Sequence, residues 1–64
     1  MRPNYKKFEA LRDKEGKTNY QVSVESGVSR STLSEWKDGK HAPELPTLAK
    51  LADYFKVSIE ELLG

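Results

Sequence analysis

Apolar residues along this chain recur at helical spacing and nowhere alternate for long enough to make a strand. Tyr5, Phe8 and Leu11 fall on one stripe, predicting a first helix from about Tyr5 to Lys14 with Asn4 as its N-cap and Gly16 as its stop. Thr18 followed three residues later by Gln21 is a capping box, which satisfies two orphan amides at a helix start. It opens a second helix that ends near Ser26, where Gly27 permits a left-handed turn. Ser29 is the natural N-cap of a third helix, Val28 and Leu33 stand at hydrophobic-staple positions, and Gly39 closes it two residues beyond Lys37. Leu48, Leu51, Ala52 and Phe55 follow the i, i+3, i+4, i+7 pattern of a fourth helix. It starts at Leu45 or Pro46, since proline is tolerated only in the first turn. Ser58 with Glu61 repeats the capping box and Val57 with Leu62 the staple, so a fifth helix is expected to about Leu63. The pattern therefore predicts a compact all-α fold of five short helices. The expected core is Phe8, Leu11, Val22, Val28, Leu33, Trp36, Leu48, Leu51, Phe55, Ile59 and Leu62.

The chain has 64 residues, enough for one domain spanning 1–64. A domain of this size hides only about 60% of the surface its unfolded form exposes, so its stability is marginal. The absence of cysteine excludes disulfides and thiolate metal sites. No stretch approaches the length of a membrane span, and the charged start Met-Arg-Pro-Asn-Tyr-Lys-Lys has no apolar run behind it, unlike a signal peptide. A cytoplasmic protein with no membrane partner is the expectation. His41 is the only histidine, with neither a metal-ligand cluster nor an orienting partner near it in sequence. No enzymatic activity, metal, cofactor or small-molecule ligand is expected. The net charge of +1 says little, but its distribution says more. Residues 1–43 carry nine Lys/Arg against six Asp/Glu, whereas residues 44–64 carry two against four. A basic front and an acidic tail point weakly to a nucleic-acid face in the first part.

The informative segment is Asn19 to Trp36. Two helices of about eight residues joined by a turn containing Gly27 make a helix-turn-helix, the arrangement that lays its second helix in the DNA major groove. Ser23 is small where the helices cross, Gly27 takes the turn, and Val22, Val28, Leu33 and Trp36 are apolar where the helices face each other and the core. Ser26 departs, being polar at an inward position.

The pattern extends past the motif as Leu11-Arg12, Gly16, Thr18, Gly27-Val28-Ser29, Leu33, Trp36, Gly39, Pro43, Leu48, Leu51-Ala52, Val57-Ser58 and Glu61-Leu62-Leu63-Gly64. With these residues the chain, from about Phe8 to Gly64, resembles the Cro/CI family, the lambda-repressor-like or XRE class of bacterial and phage regulators. The resemblance implies a five-helix DNA-binding domain acting as a homodimer on a near-palindromic operator, as a transcriptional regulator and by family habit a repressor. It implies that exposed side chains of the third helix read bases: Arg30, Ser31 and Glu35, with Thr32 beside them. The chemistry fits, since arginine donates twice to guanine O6 and N7, glutamate accepts from cytosine N4, and Ser or Thr serves several bases. The alternative is a solvated helix face with Arg30 and Glu35 paired. It further implies phosphate contacts from Thr18, Asn19, Gln21, Ser29, Ser34, Lys40 and the amides opening the fourth helix, of which Pro46 removes one.

In many relatives an arginine at the place of Arg12 pairs with a glutamate where this chain has Lys37. Either Asp38 or Glu35 substitutes, or Arg12 is free for a phosphate. Trp36 is read as core. Tyr20 either approaches a phosphate or covers the core edge. By resemblance the region around the fifth helix forms the twofold contact, with Val57, Ile59 and Leu63 as its apolar residues, unless Leu63 is a frayed terminus. A patch that small gives a weak dimer formed mainly on DNA. Two other readings stay open: an antitoxin-like or other protein-binding module on the same fold, and the DNA-binding fragment of a longer regulator.

Overall fold

Helices form where the sequence places their caps. In a computed structural model describing residues 2–64, α1 spans Tyr5–Lys14, α2 Asn19–Ser26, α3 Arg30–Lys37 and α4 Leu45–Phe55, followed by a 3₁₀ turn at Ile59–Leu62. The Asn4 side chain accepts from the Lys6 amide at 3.0 Å. The Thr18 hydroxyl accepts from the Gln21 amide at 3.1 Å, while the Gln21 side chain accepts from the Thr18 amide at 2.9 Å. The Ser29 hydroxyl accepts from the Thr32 amide at 3.2 Å. Each such cap stabilises its helix by about 1 kcal/mol. The fourth helix has no side-chain cap at Glu44 and relies on proline in its first turn and on its apolar stripe.

The expected fifth helix is a single 3₁₀ turn. Ser58 makes no side-chain cap bond; the Glu61 amide bonds the Ser58 carbonyl instead, at 3.1 Å. The competing interaction is tertiary. Leu63 forms an antiparallel bridge with Pro3, the Asn4 amide donates to the Leu62 carbonyl at 2.8 Å, and the Gly64 amide donates to the Arg2 carbonyl at 3.0 Å. Extended pairing draws Leu63 out of helical geometry, while Leu62 is fully buried beneath it.

The core consists of Phe8, Val22, Val28, Leu33, Trp36, Leu48, Leu51, Ala52 and Leu62. Ala52 joins it, whereas Leu11, Phe55 and Ile59 are only partly buried against it. Leu11 and Phe55 lie in the last turns of α1 and α4, and Ile59 opens the 3₁₀ turn. Phe8 of α1 lies 5.4 Å, centroid to centroid, from Trp36 of α3, and Tyr5 packs edge-on against the indole at the same distance. Aromatic pairs of this geometry add about 0.5–1.5 kcal/mol each beyond area burial. They fix which face of α3 turns inward.

A polar clamp ties the ends of three elements. The Tyr54 hydroxyl of α4 donates to Glu25 of α2 at 2.5 Å, and Lys17, in the α1–α2 turn, meets the same carboxylate at 3.3 Å. The hydrogen bond to Glu25 pushes the Tyr54 phenol up to about 12. The bonds from Tyr54 and Lys17 hold the Glu25 carboxyl below its usual range.

Candidate nucleic-acid interface

The angle between α2 and α3 is set by their turn. Gly27 adopts φ +83° and its amide donates to the Ser23 carbonyl at 3.0 Å, ending α2. Ser26, the polar residue at an inward position, is used locally, its hydroxyl accepting from the Val28 amide at 3.2 Å. A partly buried amide in the turn would otherwise lack a protein partner.

With Leu33 and Trp36 buried on one side, Arg30, Ser31, Ser34 and Glu35 are exposed on α3. They line a shallow groove of about 740 Å³ bordered by Asn19 and Tyr20 of α2 and by Lys37, Asp38 and Lys40 at the far end of α3. Of the expected base-reading residues, Arg30, Ser31 and Glu35 thus share one open surface. Thr32 does not line it; its hydroxyl lies 2.8 Å from that of Ser29 and is engaged in the helix cap. Lys40 is brought to the groove by the end of α3. Gly39 turns left-handed at φ +76°, its amide reaching the Trp36 carbonyl at 3.1 Å and the Lys40 amide the Glu35 carbonyl at 2.9 Å.

Arg30 is not paired with Glu35. Its guanidinium carbon lies 5.2 Å above the centroid of the Tyr20 ring. Tyr20 is 59% exposed, so it covers no core edge; it forms the wall of the groove on which Arg30 rests. The sequence carried no signal for this contact, since the two residues belong to different helices.

At the start of α2, the capping box engages one hydrogen-bonding atom each of Thr18 and Gln21, leaving the amides of Asn19 and Tyr20 as first-turn donors. The Asn19 side chain faces the protein instead. Its Oδ1 accepts from Arg12 Nη1 at 2.8 Å and its Nδ2 donates to the Tyr5 hydroxyl at 3.1 Å. Arg12 is thereby placed: neither Asp38 nor Glu35 replaces the missing partner, and the guanidinium is not free for a phosphate. Two of its N–H groups converge on Asp13 Oδ1, at 3.0 and 2.8 Å, and Glu9 lies at 3.8 Å. The bond to Asp13 raises the Arg12 pKa further above its ordinary value. Ser29 and Ser34 are exposed, and the Ser29 hydroxyl is shared with the Thr32 amide and hydroxyl in the cap of α3.

Val57, Ile59 and Leu63 are partly buried against the protein's own core. Leu63 is held by its bridge to Pro3 rather than frayed. Among the described residues, Val24 and Leu45 are large aliphatic side chains left exposed, each 64% open. No described helix is long and apolar enough to cross a membrane, and the described residues contain no group of three metal-ligating side chains.

The helix-turn-helix family model matches residues 8–62, most of the chain. The chain belongs to the Cro/CI-type helix-turn-helix family. It is 34% identical over 58 residues to the HTH-type transcriptional activator BcrR of Enterococcus faecalis, covering 91% of this chain and 28% of that protein. It is 35% identical over 48 residues to the cryptic phage CTXphi transcriptional repressor RstR of Vibrio cholerae, covering 75% of this chain and 43% of that one. The chain thus spans less than half the length of either relative. Among solved structures it superimposes on the restriction-modification controller protein C.AhdI of Aeromonas hydrophila with a TM-score of 0.81 at 24% identity, covering 92% of this chain and 89% of that one. A transcriptional regulator from Listeria innocua gives 0.74 at 27% identity, covering 97% and 59%. The helix-turn-helix and the surrounding helical fold are the features shared.

Proposed function

We infer that this protein binds double-stranded DNA sequence-specifically as a transcriptional regulator, with the outer face of α3 in the major groove. The observation that carries this is the open surface on α3. Arg30, Ser31 and Glu35 point away from the core on a helix whose inner face is locked by Leu33 and Trp36. A B-form major groove admits a helix, and these side chains supply donors and acceptors that base edges recognise. Ser29, Ser34, Lys40, the hydroxyl of Thr18, the amide group of Gln21 and the first-turn amides of α2 flank that face as phosphate contacts. The Asn19 side chain acts through Arg12 and Tyr5 and contributes to the DNA face only by its backbone.

Two copies acting as a homodimer place their α3 helices in successive major grooves, roughly 34 Å apart on one face of the duplex. Val57, Ile59 and Leu63 each keep part of their surface open to a partner. Little apolar area remains there, so dimerisation is weak and is driven by DNA. The relatives bear the names of an activator and a repressor. Repression by occupying a promoter requires nothing beyond binding and is the simpler outcome for this domain. Such action places the protein in the cytoplasm.

Chemical-shift mapping with a short duplex of mixed sequence tests the assigned face. The backbone amides of Arg30, Ser31, Ser34 and Glu35, with those of Asn19 and Tyr20, should move, and those of Lys50 and Asp53 on α4 should not. Shifts centred on α4, or none at low salt, would overturn the assignment.

A further inference from the structure

Arg30 and Tyr20 stand apart from the other ionic and aromatic contacts of the molecule. Arg12 is committed to Asp13, Glu9 and Asn19, and Lys17 to Glu25. Tyr5, Phe8, Trp36 and Phe55 pack among themselves around the core. Tyr20 instead lies in the open, on a different helix from Arg30, with the guanidinium 5.2 Å over its ring face. Among the described residues Arg30 has no carboxylate partner, although Glu35 borders the same groove.

We propose that Tyr20 is a specificity-determining residue: its ring holds the Arg30 guanidinium at a fixed place on the reading face, so that α2 decides which base pair α3 prefers. The inference rests on the DNA-binding function proposed above. An arginine at the first position of a helix has many rotamers, most of which miss a base edge. Reading guanine requires the planar guanidinium fork to meet O6 and N7 together. A guanidinium already held over a ring gives up less freedom on binding than one that sweeps solvent. The ring attracts the guanidinium through its charge and takes no hydrogen bond from it, so the N–H groups remain available as donors. Tyrosine can thus restrain Arg30 without competing for the hydrogen bonds that read the base. A carboxylate partner such as Glu35 would occupy those same N–H groups. The ring face performs this role, so the Tyr20 hydroxyl is dispensable to it.

Two measurements test the proposal. In the free protein, ring current from Tyr20 should shift the Arg30 Nε–H and side-chain resonances. Tyr20→Leu should return them to unstructured-arginine values and Tyr20→Phe should leave them shifted. On DNA, random duplexes are selected on the parent, Tyr20→Phe, Tyr20→Leu and Arg30→Ala. The parent and Tyr20→Phe should enrich one and the same site. Tyr20→Leu should lose about 2- to 5-fold of the preference at a single base pair, the size expected of an exposed cation–π contact. That pair should be the one relaxed in Arg30→Ala, and Tyr20→Leu should lose more on the selected site than on scrambled duplex. Tyr20 is exposed, so its variants should fold, which circular dichroism checks.

Unchanged preference in Tyr20→Leu would overturn the proposal while leaving DNA reading intact. So would an equal loss on all sequences, or a Tyr20→Phe variant that behaves like Tyr20→Leu, since these would make Tyr20 a phosphate contact through its hydroxyl. A parent that enriches no sequence would remove the DNA-reading function itself, and the proposal with it.

Discussion

Replacing Gly27 by alanine isolates the backbone contribution that sets the α2–α3 turn. Gly27 sits at φ +83°. An L-residue held there brings its Cβ against its own carbonyl at a cost of about 1–2 kcal/mol. No neighbouring heavy atom lies within 4 Å of a Cβ built at this position, so no packing clash adds to that figure. In a domain of this size 1 kcal/mol moves Tm by roughly 4–8 °C. Alanine's smaller unfolded-state entropy offsets part of this, leaving about 0.5–1 kcal/mol, so Gly27→Ala should lower Tm by roughly 2–8 °C and the urea midpoint by about 0.5–1 M, with the slope unchanged. Gly27→Asn should cost less, because asparagine tolerates left-handed backbone, and Gly27→Val more, because β-branching does not. The end of α4 offers the converse. Lys56, the one non-glycine residue with positive φ among the described residues, sits at +58°. Lys56→Gly should raise stability by about 0.5–1 kcal/mol, the relief of that strain offset in part by glycine's larger unfolded-state entropy. Thermal and urea melts followed by circular dichroism read all four variants. If Gly27→Ala melted with the parent, or Lys56→Gly lost as much stability as Gly27→Ala, backbone strain would not be what governs these two turns.

Lys40→Ala should weaken binding to specific and scrambled duplex about equally and reduce the slope of log K against log salt by about 0.9, the value for one phosphate contact; an unaltered slope in titrations would remove Lys40 from the contacts. Asn19→Ala removes the side chain bridging Arg12 and Tyr5, leaving only their direct contact at 3.5 Å, and should cost about 1 kcal/mol in urea melts without altering base preference; a change in the selected sequence would show a direct role in reading. Glu25 has its pKa lowered by folding, so its contribution to stability is complete above the ordinary carboxylate range and fades as pH falls through it. The Tyr54 phenol is raised to about 12, so its contribution is complete below its ordinary value of 10.0 and is lost as pH rises from there towards 12. Glu25→Gln and Tyr54→Phe should flatten the acid and alkaline limbs respectively in a pH series of melts; limbs as steep as the parent's would exclude the clamp as their source.

What the sequence disclosed was governed by local chemistry. The caps of Asn4, Thr18 and Ser29, and the stops at Gly16, Gly27 and Gly39, rest on groups bonding the backbone a few residues away, so their spacing is visible in one dimension. The same logic over-reached at Ser58 and Glu61. There a capping-box spacing loses to pairing of Leu63 with Pro3, from the opposite end of the chain. The Tyr54–Glu25 bond joins residues 29 apart and left no pattern to find. At the candidate site, the outward positions of α3 were readable from the apolar spacing of Leu33 and Trp36. The partners of Arg12 and Arg30 were not, because a long flexible side chain chooses among all groups within its reach. Asn19 illustrates the consequence: its position at the start of α2 suggested phosphate, and its side chain bonds Arg12 and Tyr5.

Whether α3 reads duplex sequence in a two-fold arrangement is decided by selecting random duplex DNA on the purified protein. The winner is then titrated against a scrambled duplex at two salt concentrations. The expected product is two inverted half-sites with centres one helical turn apart, bound far more tightly than the scramble at both salts. Failure to enrich any sequence, with weak binding that vanishes at modest salt, would contradict that reading and turn attention from DNA to a protein partner for the same fold.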